Sequence, residues 1–211
     1  MTLIWDLPTR VFHWTLAGSV TFCLVSGFTA NGDLEWHMRS GKFVLALLLF
    51  RLGWGLFGAT YARFGQFVGS PASAWRYLAR FRTAAASTGH NAAGGWAVLA
   101  ILGLLVVQVS TGLFATDDIL SEGPLIHLVG SETSTMLTGL HQRNAWLVAG
   151  IVALHVAALA AHRIWRHEAM LRPMITGDVE VDANRTHWSP LALLIAVGIA
   201  AVATYQIVEV L

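Results

Sequence analysis

Four histidines of this chain stand where they could bind a metal within or beside apolar sequence. His141 and His155 are fourteen residues apart, which on an α-helix corresponds to a rise of about 21 Å and nearly four whole turns. The two side chains therefore share one face and lie near opposite sides of a bilayer core. That spacing is the one that two stacked haems need. The other two, His13 and His37, stand at the ends of earlier apolar segments.

The elements that must position these histidines are predicted to be membrane helices. The chain has 211 residues, of which 55% are hydrophobic and 12% are charged, and its mean hydropathy is +0.61. A soluble domain of this length is less apolar, whereas segments of about twenty apolar residues suit a bilayer core. Strands would alternate in polarity, so the sequence predicts an all-α integral membrane protein. Five segments are predicted to span the membrane: 11–30, 41–58, 94–115, 145–162 and 190–208.

The first apolar segment lies where a signal peptide would lie, but the residues that flank it are not those of a signal peptide. Its apolar stretch is long and is preceded by Asp6 and Arg10 rather than by a basic cluster, so we expect it to be retained. The single cysteine, Cys23, lies within it. One cysteine allows no disulfide within the chain and no Cys-x-x-Cys-His attachment motif, so any haem is predicted to be held noncovalently.

Charges between the segments predict the orientation in the membrane. Residues 58–94 and the stretch after the fourth segment carry arginines, whereas residues 116–142 carry acids and neither Lys nor Arg. The positive-inside rule then places the N-terminus and both basic stretches in the cytoplasm. Ser70 and Pro71 predict the start of a short helix on the inner membrane surface, with a plain connector helix as the alternative. The charged residues are Arg63, Arg76, Arg80, Arg82, Arg163, Arg166, Arg172, Arg185, Asp117, Asp118, Glu122 and Glu132.

This topology gives each of the four histidines a predicted depth in the membrane. His13 and His155 fall near the inner face, and His37 and His141 fall near the outer face. Two imidazoles from facing helices fill both axial positions of a haem iron, and such an iron transfers electrons rather than binding a substrate. A single membrane histidine is more often a hydrogen-bonded structural residue, but four histidines in two depth-matched pairs favour haem ligation.

Two arginines and a glycine near these histidines are further candidates for contact with a haem. Arg51 follows His37 by fourteen residues, on the same helical face and near the depth of the inner pair. A deep arginine needs an anion, and a haem propionate would serve. Arg10, just before the first of the four histidines, is a second candidate, and snorkelling to lipid headgroups is the alternative for both. Gly41 leaves room either for a macrocycle or for close helix packing.

The remaining five histidines are weaker candidates. His162 lies near the inner end of the fourth segment, where contact with a propionate or a headgroup is favoured over ligation. His90 is predicted to be interfacial. For His127, His167 and His187 no partner follows from the spacing, and we expect them to face solvent.

Several short stretches together resemble the bacterial cytochrome b561 family, the four-helix di-haem b cytochromes that include the membrane subunit of nickel-iron hydrogenases. The resemblance covers roughly residues 3–177. It implies two b haems, each held by two histidines, which carries over onto His13 with His155 and onto His37 with His141. The stretches are WDLPTRVFHW at 5–14, EWHMRSG at 35–41, TGHN at 88–91, GLH at 139–141 and RPMITG at 172–177.

The resemblance also implies how the chain is divided. Residues 1–177 would form the di-haem four-helix domain, and residues 178–211 a linker and an additional helix. This fifth helix departs from the four-helix pattern of the family, and its predicted role is packing against a partner or a second copy of the chain. The stretch 116–123 resembles family members that are associated with periplasmic c-type cytochromes.

The leading functional hypothesis is an electron conduit in the bacterial inner membrane, in which two b haems connect membrane quinone to a periplasmic redox partner. The acidic outer loop favours a basic c-type cytochrome as that partner. Superoxide oxidation coupled to quinone reduction, and service as the membrane subunit of a hydrogenase-type enzyme, are alternatives within the family. A divalent-metal transporter would need carboxylates in the spans, which hold none, and a silent anchor would need no haem. The sequence shows no nucleic-acid-binding patch.

Overall fold

A computed structural model describes residues 2–29, 34–85, 87–119, 121–179 and 184–210. Five of its helices are long and apolar enough to cross a membrane, which confirms the predicted all-α membrane fold. Short 3₁₀ turns follow α2 and precede α6, and a π-helical turn ends α8. The elements are β1 (Thr2–Leu3), α1 (Leu7–Thr29), α2 (Leu34–Phe57), α3 (Phe64–Phe67), α4 (Pro71–Ala79), α5 (Ala92–Gly112), α6 (Ser131–Trp165), α7 (Leu171–Thr176), β2 (Asp178–Val179) and α8 (Pro190–Tyr205).

Two membrane helices extend well beyond the apolar segments that predicted them. Helix α2 begins at Leu34 rather than at residue 41, and α6 runs for 35 residues. Hydropathy underestimates such helices because a helix that leaves the bilayer core continues with polar residues. As a result His37 lies in α2 itself, and His141 and His155 belong to one continuous helix.

Polar side chains at the helix starts fix where the helices begin. Asp6 is 1% exposed and accepts hydrogen bonds from the backbone N–H and the hydroxyl of Thr9, at 2.9 and 2.7 Å. The indole Nε1 of Trp54 donates to the same carboxylate at 3.2 Å, so this capping residue also joins α1 to α2. Ser70 accepts a backbone N–H of α4 and Pro71 takes the first helical position, which confirms the predicted helix start.

Helix α2 occupies the centre of the bundle. It packs against α1, α5 and α8, while α6 packs against α5. Its side chains Val44, Leu48 and Trp54 are at most 3% exposed and join Leu105 of α5 and Val148 of α6 in one apolar cluster. Burial of this stripe therefore holds the histidine-bearing helices at fixed separations.

The alternating helices give the molecule two ends. The arginine-rich end carries β1, α3, α4, α7 and the C-terminus of α6, and the acidic end carries residues 113–119 and 121–130. At the arginine-rich end β1 pairs antiparallel with β2, just after Gly177, whose φ is +89°. A Cβ at Gly177 would lie 2.8 Å from the carbonyl oxygen of Trp5, so both the left-handed backbone and the close approach require glycine.

Helix α8 packs on its own chain. Its Ala196 and Ala200 are 2% and 4% exposed and belong to the same apolar cluster as α2. Small residues on facing helices allow such close approach in membranes. Leu194 and Val202, at 70% and 61% exposed, leave a second apolar face for lipid, a partner or a second copy. The domain division after residue 177 stays a prediction.

Candidate functional site

The arginine-rich half of the bundle brings His13 of α1 and His155 of α6 together. Their ring centroids are 6.4 Å apart and the ring planes are inclined at 54°. An imidazole nitrogen binds a metal at about 2 Å, so two imidazoles on opposite sides of one iron have centroids roughly 6 Å apart. We call these two residues the inner pair; their separation suits the two axial ligands of one iron.

The acidic half brings together His37 of α2 and His141 of α6, which we call the outer pair. Their ring centroids are 6.2 Å apart and the planes are inclined at 81°. The four histidines thus meet in the combination that sequence and topology predict. Elsewhere among the described residues, no group of three or more His, Cys, Asp or Glu side chains could hold a metal ion.

Helix α5 holds the ring of His141 through several polar groups. Its Nδ1 lies 2.9 Å from the backbone carbonyl oxygen of Gln108 and 3.4 Å from the hydroxyl of Thr111. A proton on Nδ1 that is donated to this carbonyl leaves Nε2 with a free lone pair. The Gln108 amide nitrogen lies 3.2 Å from Nε2, and Asn144 Nδ2 donates to Gln108 Oε1 at 2.7 Å. A metal and the Gln108 amide are therefore alternative partners for Nε2.

The ring of His37 is held by α1. Its Nδ1 lies 3.0 Å from the hydroxyl oxygen of Ser26, which itself donates to the carbonyl of Phe22 at 2.8 Å. The hydroxyl thus accepts from an Nδ1 proton, which again leaves Nε2 for another partner. The close approach of this ring depends on Gly27, where a Cβ would lie 3.2 Å from His37 Cε1.

Both predicted arginines lie at the arginine-rich end. Arg51 is 4% exposed, its guanidinium carbon lies 4.6 Å from the ring centre of Phe64, and its burial argues against a headgroup contact. Arg10 donates to the carbonyl oxygen of Ile175. Arg51 Nη1 and Arg10 Nε are buried and have no hydrogen-bond partner within the described part of the chain. Buried cationic donors of this kind suit an anionic ligand.

His90 contributes a third imidazole near the inner pair. Its ring packs between Trp5 and Phe67, at centroid distances of 4.7 and 4.2 Å, rather than at an open interface. Burial, together with the neighbouring Arg51 and His13, lowers the pKa of His90 to about 3. The ring is therefore neutral near pH 7, and its buried Nδ1 has no partner among the residues described.

Glycines control the space around the histidines. Nothing lies within 4 Å of a Cβ built at Gly41, so the face of α2 next to His37 has open space at this position. At Gly112 of α5, a Cβ would lie 2.8 Å from His141 Cε1. The first glycine leaves room beside the outer pair, whereas the second lets the ring of His141 lie against α5.

The other histidines lie outside both pairs. His162 is buried and its Nδ1 lies 2.7 Å from Glu168 Oε2. The predicted contact of His162 with a propionate or a headgroup stays a prediction. His127, His167 and His187 are exposed, as expected.

A family comparison adds to this geometry. The model of the family described as prokaryotic cytochrome b561 matches residues 4–177. The chain belongs to the prokaryotic cytochrome b561 family. Comparison with curated proteins and with solved structures gave no match. As a member of the cytochrome b561 family, the protein is a multi-pass membrane b-type cytochrome that serves electron transfer and binds b-type haem.

The side chains present fit b-type haem. Each histidine pair has the centroid separation of two axial ligands, at 6.4 and 6.2 Å. Buried guanidinium nitrogens that have no acceptor among the described residues lie at the end of the bundle that holds the inner pair, where carboxylate groups would satisfy them. Gly41 puts no side chain into the space beside His37. With Cys23 as its one cysteine, the chain has no Cys-x-x-Cys-His haem-attachment motif.

Sequence reasoning missed several residues that contact the pairs: Ser26, Gln108, Thr111 and Gly112, and the buried place of His90. Three of these lie on α5, which carries no histidine of either pair. The one available signal was polarity, because Gln108 stands alone in a long apolar run.

Proposed function

We propose that this cytochrome b561 carries electrons between membrane quinone and a periplasmic redox partner, through two b haems held by its inner and outer pairs. The observation that carries the proposal is the pairing itself: two imidazole pairs with centroid separations of 6.4 and 6.2 Å, at different depths of one bundle. His13 and His155 are the proposed ligands at one depth, and His37 and His141 at the other.

Haem iron with two imidazole ligands supplies one-electron exchange without an open position for substrate. The chain determines where the two proposed haem sites lie. Helix α6 contributes a histidine to each pair, separated by fourteen residues or about 21 Å of helix. An electron would therefore cross the apolar part of the membrane in shorter steps between the two sites. The apolar cluster around Trp54 and Leu105 excludes water between the helices.

The charges of the chain support an assignment of its two ends. Arginines mark one end and Asp117, Asp118, Glu122 and Glu132 mark the other. We assign the arginine-rich end, with the N-terminus, to the cytoplasm. The acidic end then faces the periplasm of a bacterial inner membrane, where it would attract a basic c-type cytochrome and steer its approach.

Haem quantification tests the stoichiometry. Acid-acetone extraction of the purified protein followed by a pyridine haemochrome assay should give two b haems per chain, all of them in the extract. One haem or none would contradict the pairing.

Stopped-flow spectroscopy tests the direction of electron transfer. A short-chain quinol should reduce the haems, and a basic c-type cytochrome should reoxidise them at a rate that falls with ionic strength. Reduction by superoxide, with quinone as the acceptor, would favour superoxide oxidation instead. Reduction only in the presence of a hydrogenase and hydrogen would favour the role of a hydrogenase subunit.

A further inference from the structure

A groove at the arginine-rich end lies outside both histidine pairs. It has a volume of about 420 Å³ and lies between the turn after α4 and the end of α6. Its lining includes Arg80, Arg82 and Thr83 together with the apolar residues Leu78 and Trp165. The groove thus combines two cationic groups with an apolar wall.

The arginines of the groove are not neutralised by the chain. Arg80 and Arg82 are exposed and form no ion pair within the described residues. Residues 58–94 contain no acid at all. Glu168, the acid near the end of α6, is already bound by Arg166 through Nε at 3.0 Å and Nη2 at 2.7 Å. The net local charge of the groove is therefore positive.

Arg166 also holds the wall of the groove in place. Its side chain is 6% exposed, and it donates to the backbone carbonyl oxygens of Phe81 and of Ala84, the latter at 2.8 Å. His162 packs edge-on against Phe81, at a centroid distance of 4.9 Å. These contacts fasten the turn that carries the two arginines to the end of α6, so the backbone that bears them is held in place before any ligand arrives.

Apolar side chains around the groove place it at a membrane surface. Trp75, Leu78 and Trp165 are 74%, 55% and 55% exposed, which is costly in water and favourable at the boundary between headgroups and acyl chains. A free phosphate ion would use only the arginines. A phospholipid would use both the arginines and the apolar wall.

We propose that this groove is a binding site for an anionic phospholipid, with the headgroup phosphate on Arg80 and Arg82 and an acyl chain along Leu78 and Trp165. Guanidinium groups match phosphate oxygens through paired hydrogen bonds. A zwitterionic headgroup would bring its own cation to the arginines and bind more weakly. This site is independent of the proposed electron partners.

Native mass spectrometry of the haem-loaded protein tests the site. The protein is exchanged into detergent with equal amounts of phosphatidylglycerol and phosphatidylcholine, and the lipid that is retained is counted. We expect selective retention of phosphatidylglycerol. The Arg80→Gln/Arg82→Gln variant should bind it about 30-fold more weakly, since each arginine at an anionic surface contributes roughly a factor of five.

The matched control removes the same charge at the acidic end. Arg39→Gln/Arg143→Gln should keep the selectivity and affinity of the unaltered protein, because these exposed arginines lie away from the groove. If the groove variant loses its haem spectrum, Arg82→Gln alone is used, with an expected loss of about fivefold. Equal retention of both lipids, or retention that survives the groove substitutions, would overturn the proposal. So would protection against thermal unfolding by inorganic phosphate that equals protection by phosphatidylglycerol.

Discussion

The side-chain contacts of individual histidines differ between the outer and the inner pair. At the outer pair, the ring of His141 is fixed by the carbonyl of Gln108 and the hydroxyl of Thr111, and that of His37 by Ser26. At the inner pair, the Nδ1 atom of His13 is buried without a partner in the described chain. In the proposed di-haem arrangement, protein contacts would orient the outer imidazoles before haem binds, whereas the orientation of His13 would depend more on the haem itself.

Alanine substitutions at the two histidines of α6 test the assignment by depth. His155→Ala should remove chiefly the inner haem and His141→Ala chiefly the outer one, because each deletes one of two axial ligands and leaves the other pair intact. Each variant should keep about half of the haem, and redox titrations should lose different components. Loss of the same component from both variants would contradict the assignment.

Arg51 tests the electrostatics of the inner site. Arg51→Leu should lower the midpoint potential of the inner haem by tens of millivolts, because a buried cation close to a propionate makes addition of an electron more favourable. Arg51→Lys should restore part of the effect, since it keeps the charge but not the planar donor pair. A Leu variant with normal haem content and an unchanged midpoint would place Arg51 away from the cofactor.

Among the helices, α5 packs against the ring of His141 and so supports the outer pair. Gly112→Ala should reduce outer-haem content, because its Cβ would lie 2.8 Å from His141 Cε1 and the ring or the helix must shift. Such overpacking costs about 1–3 kcal/mol. Gly103→Ala in the same helix is the matched control, since nothing lies within 4 Å of its Cβ. Spectra that show equal haem loss in both variants would refute this role of Gly112.

The attachment of α4 to α6 should depend on pH. The Arg166 guanidinium holds the pKa of the Glu168 carboxyl below its ordinary value of 4.5, with His162 adding to this effect. Because the pKa is lowered in the attached state, the carboxylate stabilises attachment above pH 4.5, and this stabilisation is lost as the pH falls towards the lowered pKa. A spin label at Ala79→Cys, in a Cys23→Ser background, should become mobile in acid.

Glu168→Gln provides the comparison for this experiment. An amide oxygen still accepts from Arg166 but does not titrate in this range. The label should therefore be more mobile at neutral pH and should change little on acidification. A Gln variant with the same acid transition as its parent would assign the transition to another group.

For the molecule as a whole, the five candidate spans predict that the start of α1 and the end of α8 lie on opposite sides of the membrane. With the N-terminus in the cytoplasm, the C-terminal end of α8 faces the periplasm. An alkaline phosphatase fused after α8 should therefore be active, and a fluorescent protein at the N-terminus should fluoresce. The reverse result would invert the assignment of both ends, including the side on which a redox partner docks.

Features that depend on local pattern could be predicted from the sequence alone. Apolar length gave five spans, and the fourteen-residue step placed His141 and His155 on one face of a helix. The Ser70 and Pro71 pair gave the start of α4. These features follow from helix geometry and bilayer thickness, which act on neighbouring residues. The assignment of the seven candidate residues to haem contact stays a prediction: His13, His37, His141, His155, Arg10, Arg51 and Gly41.

Which groups from distant parts of the chain surround each site depends on the tertiary structure. Gln108 contacts His141, which lies 33 residues further along the chain. Arg166 contacts the turn after α4, 85 residues before it. Helix α8 packs on α2 of its own chain. The spacing of apolar residues along the sequence does not predict such contacts, because they depend on how helices are rotated and spaced when their apolar faces pack. The buried place of His90, between Trp5 and Phe67, has the same origin.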